Sequence, residues 1–224
     1  MANRLRAVLK LAFDLAVRAG QVDSNPVISI APYPNHKRDR YLTDAEYRAI
    51  WTAAPPALRA IMDLAYLTGQ RISDVLGIHE SDITPDGIDF RQQKTGKRLT
   101  ITWSTPGLRA AVDTARALHP TRKLLLLGQR NGKVRGYKAV RGLWDRACQA
   151  AEVTDAHLHD IRAKSATDAK RQGLDPQRLM GHTTPGHTNR YLRGRDSDLV
   201  TGPSFAREQD DDPNTERIAH GHTS

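Results

Sequence analysis

Six polar side chains in this 224-residue chain carry chemistry that would be useful in combination: Arg71, Lys94, His159, Arg162, His182 and Tyr191. Arginine neutralises charge on an oxyanion through paired hydrogen bonds. Lysine and histidine move protons, and tyrosine becomes a nucleophile once its phenol is helped to ionise. Taken singly, each has an ordinary structural explanation. Arg71 opens a helix after Thr68-Gly69 and reads as a surface arginine. Lys94, in QKTGK, reads as a solvated turn lysine. His159 and Arg162 lie three apart in HDIR, share a helix face, and read as a cap and an exposed basic residue. His182 follows Gly181 and reads as a cap. Tyr191, between Arg190 and Arg193, reads as a half-buried amphipathic tyrosine.

The elements that must hold them follow from periodicity. Residues 4–19 (RLRAVLKLAFDLAVRA) place Leu5, Val8, Leu9, Ala12, Phe13 and Ala16 at helical spacing, and Gly20 ends the run. Asn25-Pro26, Pro32 and Pro34 then mark an extended linker, continued by the basic HKRDR of 36–40. Such a helix cannot form a domain alone and must pack on something. Thr43 and Glu46 predict a capping box at the start of the next helix. Further helices are expected over about 57–67, from Arg71 to about Ile78, and over 105–118, 136–151, 159–172 and 176–180, with a last stretch near 187–193. Gly87 to Phe90 and Arg98 to Trp103 read as strands around a turn at Gly96. With a short piece near Ser81–Ile83 they predict a three-stranded antiparallel sheet. The fold class is therefore α+β and mainly helical over roughly 40–195.

Composition narrows the setting. The chain has 34 Lys+Arg against 25 Asp+Glu, a formal net charge of +9, which points to an anionic partner, nucleic acid before others. The charge is uneven. From Asp196 to Ser224 seven acids face two bases, so that tail carries −5 and the preceding body +14. Gly202, Pro203 and Pro213 break any helix there, and the tail at 196–224 is expected to be disordered. No membrane span or signal segment is expected. A single cysteine, Cys148, excludes an internal disulfide, and the nine histidines include no HExxH helix, so neither a metal nor a cofactor is expected. The setting is a soluble protein of the cytoplasm.

The order and local context of the six residues resemble the tyrosine recombinases, the phage integrase family. Arg71 in TGQRISDVLGI is similar to the family's first arginine box, with Asp74 at its acidic position. Lys94 in KTGK resembles the mobile hairpin lysine, His159 and Arg162 in HLHDIR the second box, and His182 in LMGH the leucine-glycine-histidine signature. Tyr191 in HTNRYLR stands nine residues later, with Thr188 where the family often has threonine. The resemblance covers about 40–195. It implies a catalytic domain of the integrase type that cuts and rejoins double-stranded DNA through a 3′-phosphotyrosyl intermediate, assembling as a tetramer on DNA.

In that reading Arg71 and Arg162 neutralise the phosphate oxygens in the transition state. Tyr191 attacks, His159 helps it ionise, Lys94 protonates the leaving 5′-oxygen, and His182 hydrogen-bonds the phosphate or steadies the transition state. The family also has a helical core-binding domain that closes a clamp around DNA. Residues 1–39 resemble only its last helix and the linker, which predicts weak and strongly salt-dependent DNA binding. The acidic tail is a poor copy of a docking helix and puts tetramer assembly in question. Two other readings compete: a truncated DNA-binding remnant or regulator that no longer recombines, and a type IB topoisomerase-like relaxing enzyme.

Overall fold

The computed structural model describes residues 1–34, 38–118, 125–128 and 135–182, together with 186, 188 and 191. The chain divides into Met1–Gly194 and Arg195–Ser224. The second unit, and with it the tail expected over 196–224, lies outside the described residues. Of the helical stretch expected near 187–193, only Thr188 and Tyr191 are described.

The fold is built around α3 (Pro56–Thr68). Its proline sits in the first turn, where no intrahelical donor is needed. Leu58, Ile61, Met62, Leu64 and Ala65 are buried, giving the helix apolar contact on more than one face. The helix stops at Gly69, whose φ of +63° is left-handed and free of strain only for glycine. α2 (Asp44–Ala53) begins in the expected capping box: Thr43 Oγ1 accepts from Glu46 N at 3.2 Å, and Glu46 Oε2 accepts from Thr43 N at 2.9 Å. α3 packs against α5 (Leu108–Ala117) and against α7 (Leu158–Arg171), while α2 packs on α6 (Tyr137–Ala150). One apolar core runs through them, including Leu58, Ile61, Val75, Leu108, Trp144 and Ile161.

α7 departs from what its sequence suggests. LHDIRAKSATDAKR is polar almost throughout, yet Leu158 to Ala169, His159 excepted, are buried. The helix survives inside because its polar groups are paired. Lys164, 2% exposed, holds Asp168 at 2.9 Å, Tyr41 Oη at 3.0 Å and the exposed Asp44. Asp168 accepts from Tyr41 Oη at 2.5 Å and from Tyr66 Oη at 2.9 Å. Asp160 accepts both from the His157 amide, at 2.8 Å, and from the Arg38 fork, at 2.9 and 3.1 Å. Arg38 and Arg40, read from sequence as part of a basic linker, are thus an internal clamp. Arg40 holds Glu46 at 2.7 Å and the Thr154 carbonyl at 3.0 Å.

α4 (Ile72–Leu76) is a short helix after Gly69, and α8 (Pro176–Met180) ends at Gly181. Between them in sequence, β1 (Gly87–Arg91) and β2 (Arg98–Thr102) pair antiparallel, with Gly87 opposite Thr102 and Arg91 opposite Arg98. Ser81–Ile83 do not form the expected third strand: among the described residues the sheet has two strands. Glu80–Asp82 form a 3-10 turn, closed by Asp82 accepting from the His79 amide at 2.8 Å. That leaves only Ile83 extended enough to make a single bridge, to Ile88.

α1 (Ala2–Arg18) matches the expected amphipathic helix but buries none of its residues. Leu5, Val8, Leu11 and Leu15 are each at least 60% exposed. The segment after it folds back along the helix. Asn25 bridges the Lys10 carbonyl at 2.9 Å and Asp14 at 2.6 Å, and Arg6 reaches the Ile30 carbonyl at 2.6 Å.

Candidate active site

Four of the six residues meet around the Tyr191 ring. The guanidinium carbon of Arg162 lies 5.4 Å from its centroid. The His159 and His182 rings lie 5.1 and 5.3 Å from it, tilted by 59° and 33°. α7 supplies His159 and Arg162 from its first two turns, His159 towards solvent and Arg162 inward. His182 follows the α8 cap, and the Tyr191 amide is turned in by a bond to the Thr188 carbonyl at 2.8 Å.

Arg162 is 2% exposed, where the sequence suggested an exposed base. It donates to the Gly69 carbonyl, to the Met180 carbonyl at 3.0 Å, and to His182 Nε2 at 3.2 Å. These acceptors are all neutral. Among the described residues no carboxylate forms an ion pair with it, and its buried Nε has no hydrogen-bond partner. Burial first, and the charge of nearby Arg71 second, bring its pKa down to about 10. The group still carries its charge at neutral pH, in a place that disfavours a cation until an anion arrives.

The same contacts set the state of His182. A guanidinium can only donate, so His182 Nε2 must accept and its proton sits on Nδ1. Nδ1 lies 3.0 Å from Thr188 Oγ1, which therefore accepts. His182 and Thr188 are both buried.

Arg71 reaches the site from the N-cap of α4, its side chain 17% exposed. Its Nη1 donates to Gln92 Oε1 at 3.2 Å and lies 3.7 Å from Asp74 Oδ2. Asp74 is itself held from the hairpin, accepting from the Gln93 amide at 3.0 Å. Lys94 stands exposed in the β1–β2 turn. Among the described residues no contact joins Lys94 to the other five. Its neighbour Thr95 is tied in, donating to Gln92 Oε1 at 2.7 Å.

Two residues of the site were not singled out from sequence, Gln70 and Gln92. Both are fully buried. Gln92 Nε2 donates to Gln70 Oε1 and to the Met180 carbonyl, each at 2.8 Å, and Gln70 Nε2 donates to the Leu179 carbonyl at 2.8 Å. Gly181 makes room for this pair. A Cβ there would lie 2.7 Å from Gln92 Nε2, and its φ is +65°. Gln92 continues the inward alternation of Ile88 and Phe90 in β1, a register that its polar side chain disguises, while no pattern in the sequence marks Gln70 as buried.

A pair of arginines beside a tyrosine and two histidines can hold a phosphodiester and attack it. Comparison with known proteins points the same way. The model of the phage integrase family matches residues 40–197. The chain is 30% identical over 214 residues to the integrase of Escherichia phage HK022, a match covering 89% of this chain and 60% of that protein. It is 27% identical to the integrase of Escherichia phage lambda, with the same coverage. A crystal structure of a lambda integrase tetramer bound to a Holliday junction matches with a TM-score of 0.78 at 25% identity, over 89% of this chain and 62% of that one. The chain thus spans about 60% of the length of these curated relatives.

Proposed function

The chain belongs to the phage integrase family, and from that premise we propose that it is a site-specific DNA recombinase that breaks and rejoins strands through a 3′-phosphotyrosyl link on Tyr191. The observation that carries the reading is the buried Arg162, bonded to neutral acceptors among the described residues, repelled by Arg71 and lying against the Tyr191 ring. Two cations, of which Arg71 has Asp74 at 3.7 Å and Arg162 has no ion pair among the described residues, make a seat for an anion with the nucleophile beside it.

The chemistry follows from the seat. The non-bridging oxygens of a phosphodiester gain charge in the transition state, and Arg71 and Arg162 neutralise them. The Tyr191 oxygen forms a bond to phosphorus while the bond to the 5′-oxygen breaks. His159, its ring against Tyr191, takes the phenol proton, and Lys94 gives one to the 5′-oxygen. A phosphodiester is exchanged for a phosphotyrosine ester, so bond energy is conserved and a 5′-hydroxyl can reverse the step. His182 holds Arg162 in this state through Nε2 and so steadies the transition state.

We read 40–195 as the catalytic domain and 1–39 as the last helix of a core-binding domain with its linker. The partner is double-stranded DNA in the cytoplasm, with self-association on it. The lambda integrase dimer on a core site and tetramer on a Holliday junction support that assembly. Among the described residues no helix is long and apolar enough to cross a membrane.

A nicked suicide substrate tests the reading. When the cut strand loses its short 5′ fragment, religation stops and a covalent protein–DNA adduct accumulates. Wild type should form the adduct and Tyr191→Phe should not. An adduct that survives in Tyr191→Phe would move the nucleophile elsewhere, and plasmid relaxation without strand transfer would favour a topoisomerase.

A further inference from the structure

We infer that Gln92 is a positioning residue that locks Arg71, the turn carrying Lys94 and the approach to His182 into one arrangement; the inference rests on the recombinase reading above. The carboxamide of Gln92 is fully buried and uses its whole hydrogen-bonding capacity. Its nitrogen donates twice, to Gln70 Oε1 and the Met180 carbonyl, both at 2.8 Å. Its oxygen accepts twice, from Arg71 Nη1 at 3.2 Å and Thr95 Oγ1 at 2.7 Å.

The orientation of this amide is forced. A carbonyl oxygen only accepts and a guanidinium only donates, so turning the amide over would oppose like groups at Met180 and at Arg71. A directed chain results, from Arg71 and Thr95 through Gln92 and Gln70 to the Leu179 carbonyl. The Met180 carbonyl also accepts from Arg162, so the chain touches both arginines. Lys94 stands next to Thr95 and has no tie of its own to the other five site residues. Thr95 to Gln92 is the side-chain bond that ties its turn to the group holding Arg71, beside the Gln93 amide on Asp74 at 3.0 Å and the backbone bond from the Gly96 amide to the Gln92 carbonyl at 2.8 Å. When the turn carries Lys94 towards the leaving oxygen, Gln92 decides where Arg71 is at that moment.

Two near-isosteric variants separate positioning from mere stability. Gln92→Met keeps the volume and loses all four bonds. Thr95→Val removes one hydroxyl on the exposed turn, where folding is not at stake. Each is assayed as the full chain for DNA affinity and for single-turnover adduct formation at saturating DNA. Two substrates are used, one with the natural 5′-oxygen leaving group and one with sulfur in its place. A thiolate leaves without a proton, so it bypasses Lys94. Affinity should change less than about threefold. Adduct formation on the oxygen substrate should fall about tenfold for Thr95→Val, the worth of one hydrogen bond, and about a hundredfold for Gln92→Met. The sulfur substrate should restore Thr95→Val almost fully and Gln92→Met in part, the remainder reflecting Arg71. Equal losses on both substrates for Thr95→Val, or wild-type rates in Gln92→Met, would overturn the inference alone. Absence of a Tyr191-dependent adduct in wild type would overturn the recombinase reading and this inference with it.

Discussion

Arg162 combines the depth of a core leucine with a charge that no carboxylate among the described residues meets in an ion pair. Lysine cannot replace it. An ammonium has no planar fork with which to hold the Gly69 and Met180 carbonyls, keep His182 as an acceptor and still face a phosphate. Arg162→Lys should therefore lower adduct formation by about 10²–10³-fold with circular dichroism unchanged. Cys148 is the opposite case, a reactive group made inert. Burial and the nearby Asp145 push its thiol up to about 11. The thiolate share at pH 8 then falls about a hundredfold from that of an ordinary thiol. Iodoacetamide should label the native chain at least that much more slowly than the urea-unfolded one. The sign for stability follows: a raised thiol pKa favours the fold below pH 9, and that contribution is lost as pH rises towards 11. Cys148→Ala should flatten this part of the pH–stability curve.

Among the elements, α7 is the one whose sequence misleads. Its neighbours are legible: the Thr43–Glu46 box marks the start of α2, Pro56 the start of α3, and Gly87 to Thr102 the hairpin. Periodicity works there because apolar residues alone decide which face turns inward. In α7 the burial is decided by partners far along the chain, Arg38, Tyr41 and Tyr66, which local spacing cannot register. The same limit hid Gln70 and turned Arg38 into a linker residue. The six candidate residues stand out by order and context, and Lys94 is exposed and Tyr191 half-buried as their sequence suggests, while the burial of Arg162 and His182 is not legible there. Ser81–Ile83 failed differently, because an Asp82 cap won the residues for a 3-10 turn before they could pair as a strand. The α7 network gives a test at its own scale. Lys164→Met leaves Asp168 buried with two phenols and the longer contact to Arg171, at 3.7 Å. It should destabilise the protein by about 3 kcal/mol in urea titration. Asp44→Asn should cost well under 1 kcal/mol, since that end of the network is exposed.

For the whole molecule the unbalanced charge has a thermodynamic side. Desolvating the Arg162 cation lowers the stability of the empty fold, and any small anion seated by Arg71 and Arg162 returns it. Sulfate at a hundred times its dissociation constant would add about 2.7 kcal/mol, or roughly 5–10 °C in melting temperature for a chain of this size. Excluded-salt effects raise the melting temperature of any protein, so the test is a difference. Wild type should gain more from sulfate than Arg162→Met does, and the two curves should run parallel if the seat binds no anion. Heat resistance and active-site occupancy then become two readings of one equilibrium. A chain that grips a phosphodiester is harder to melt, and one that has released it is easier to unfold and clear away.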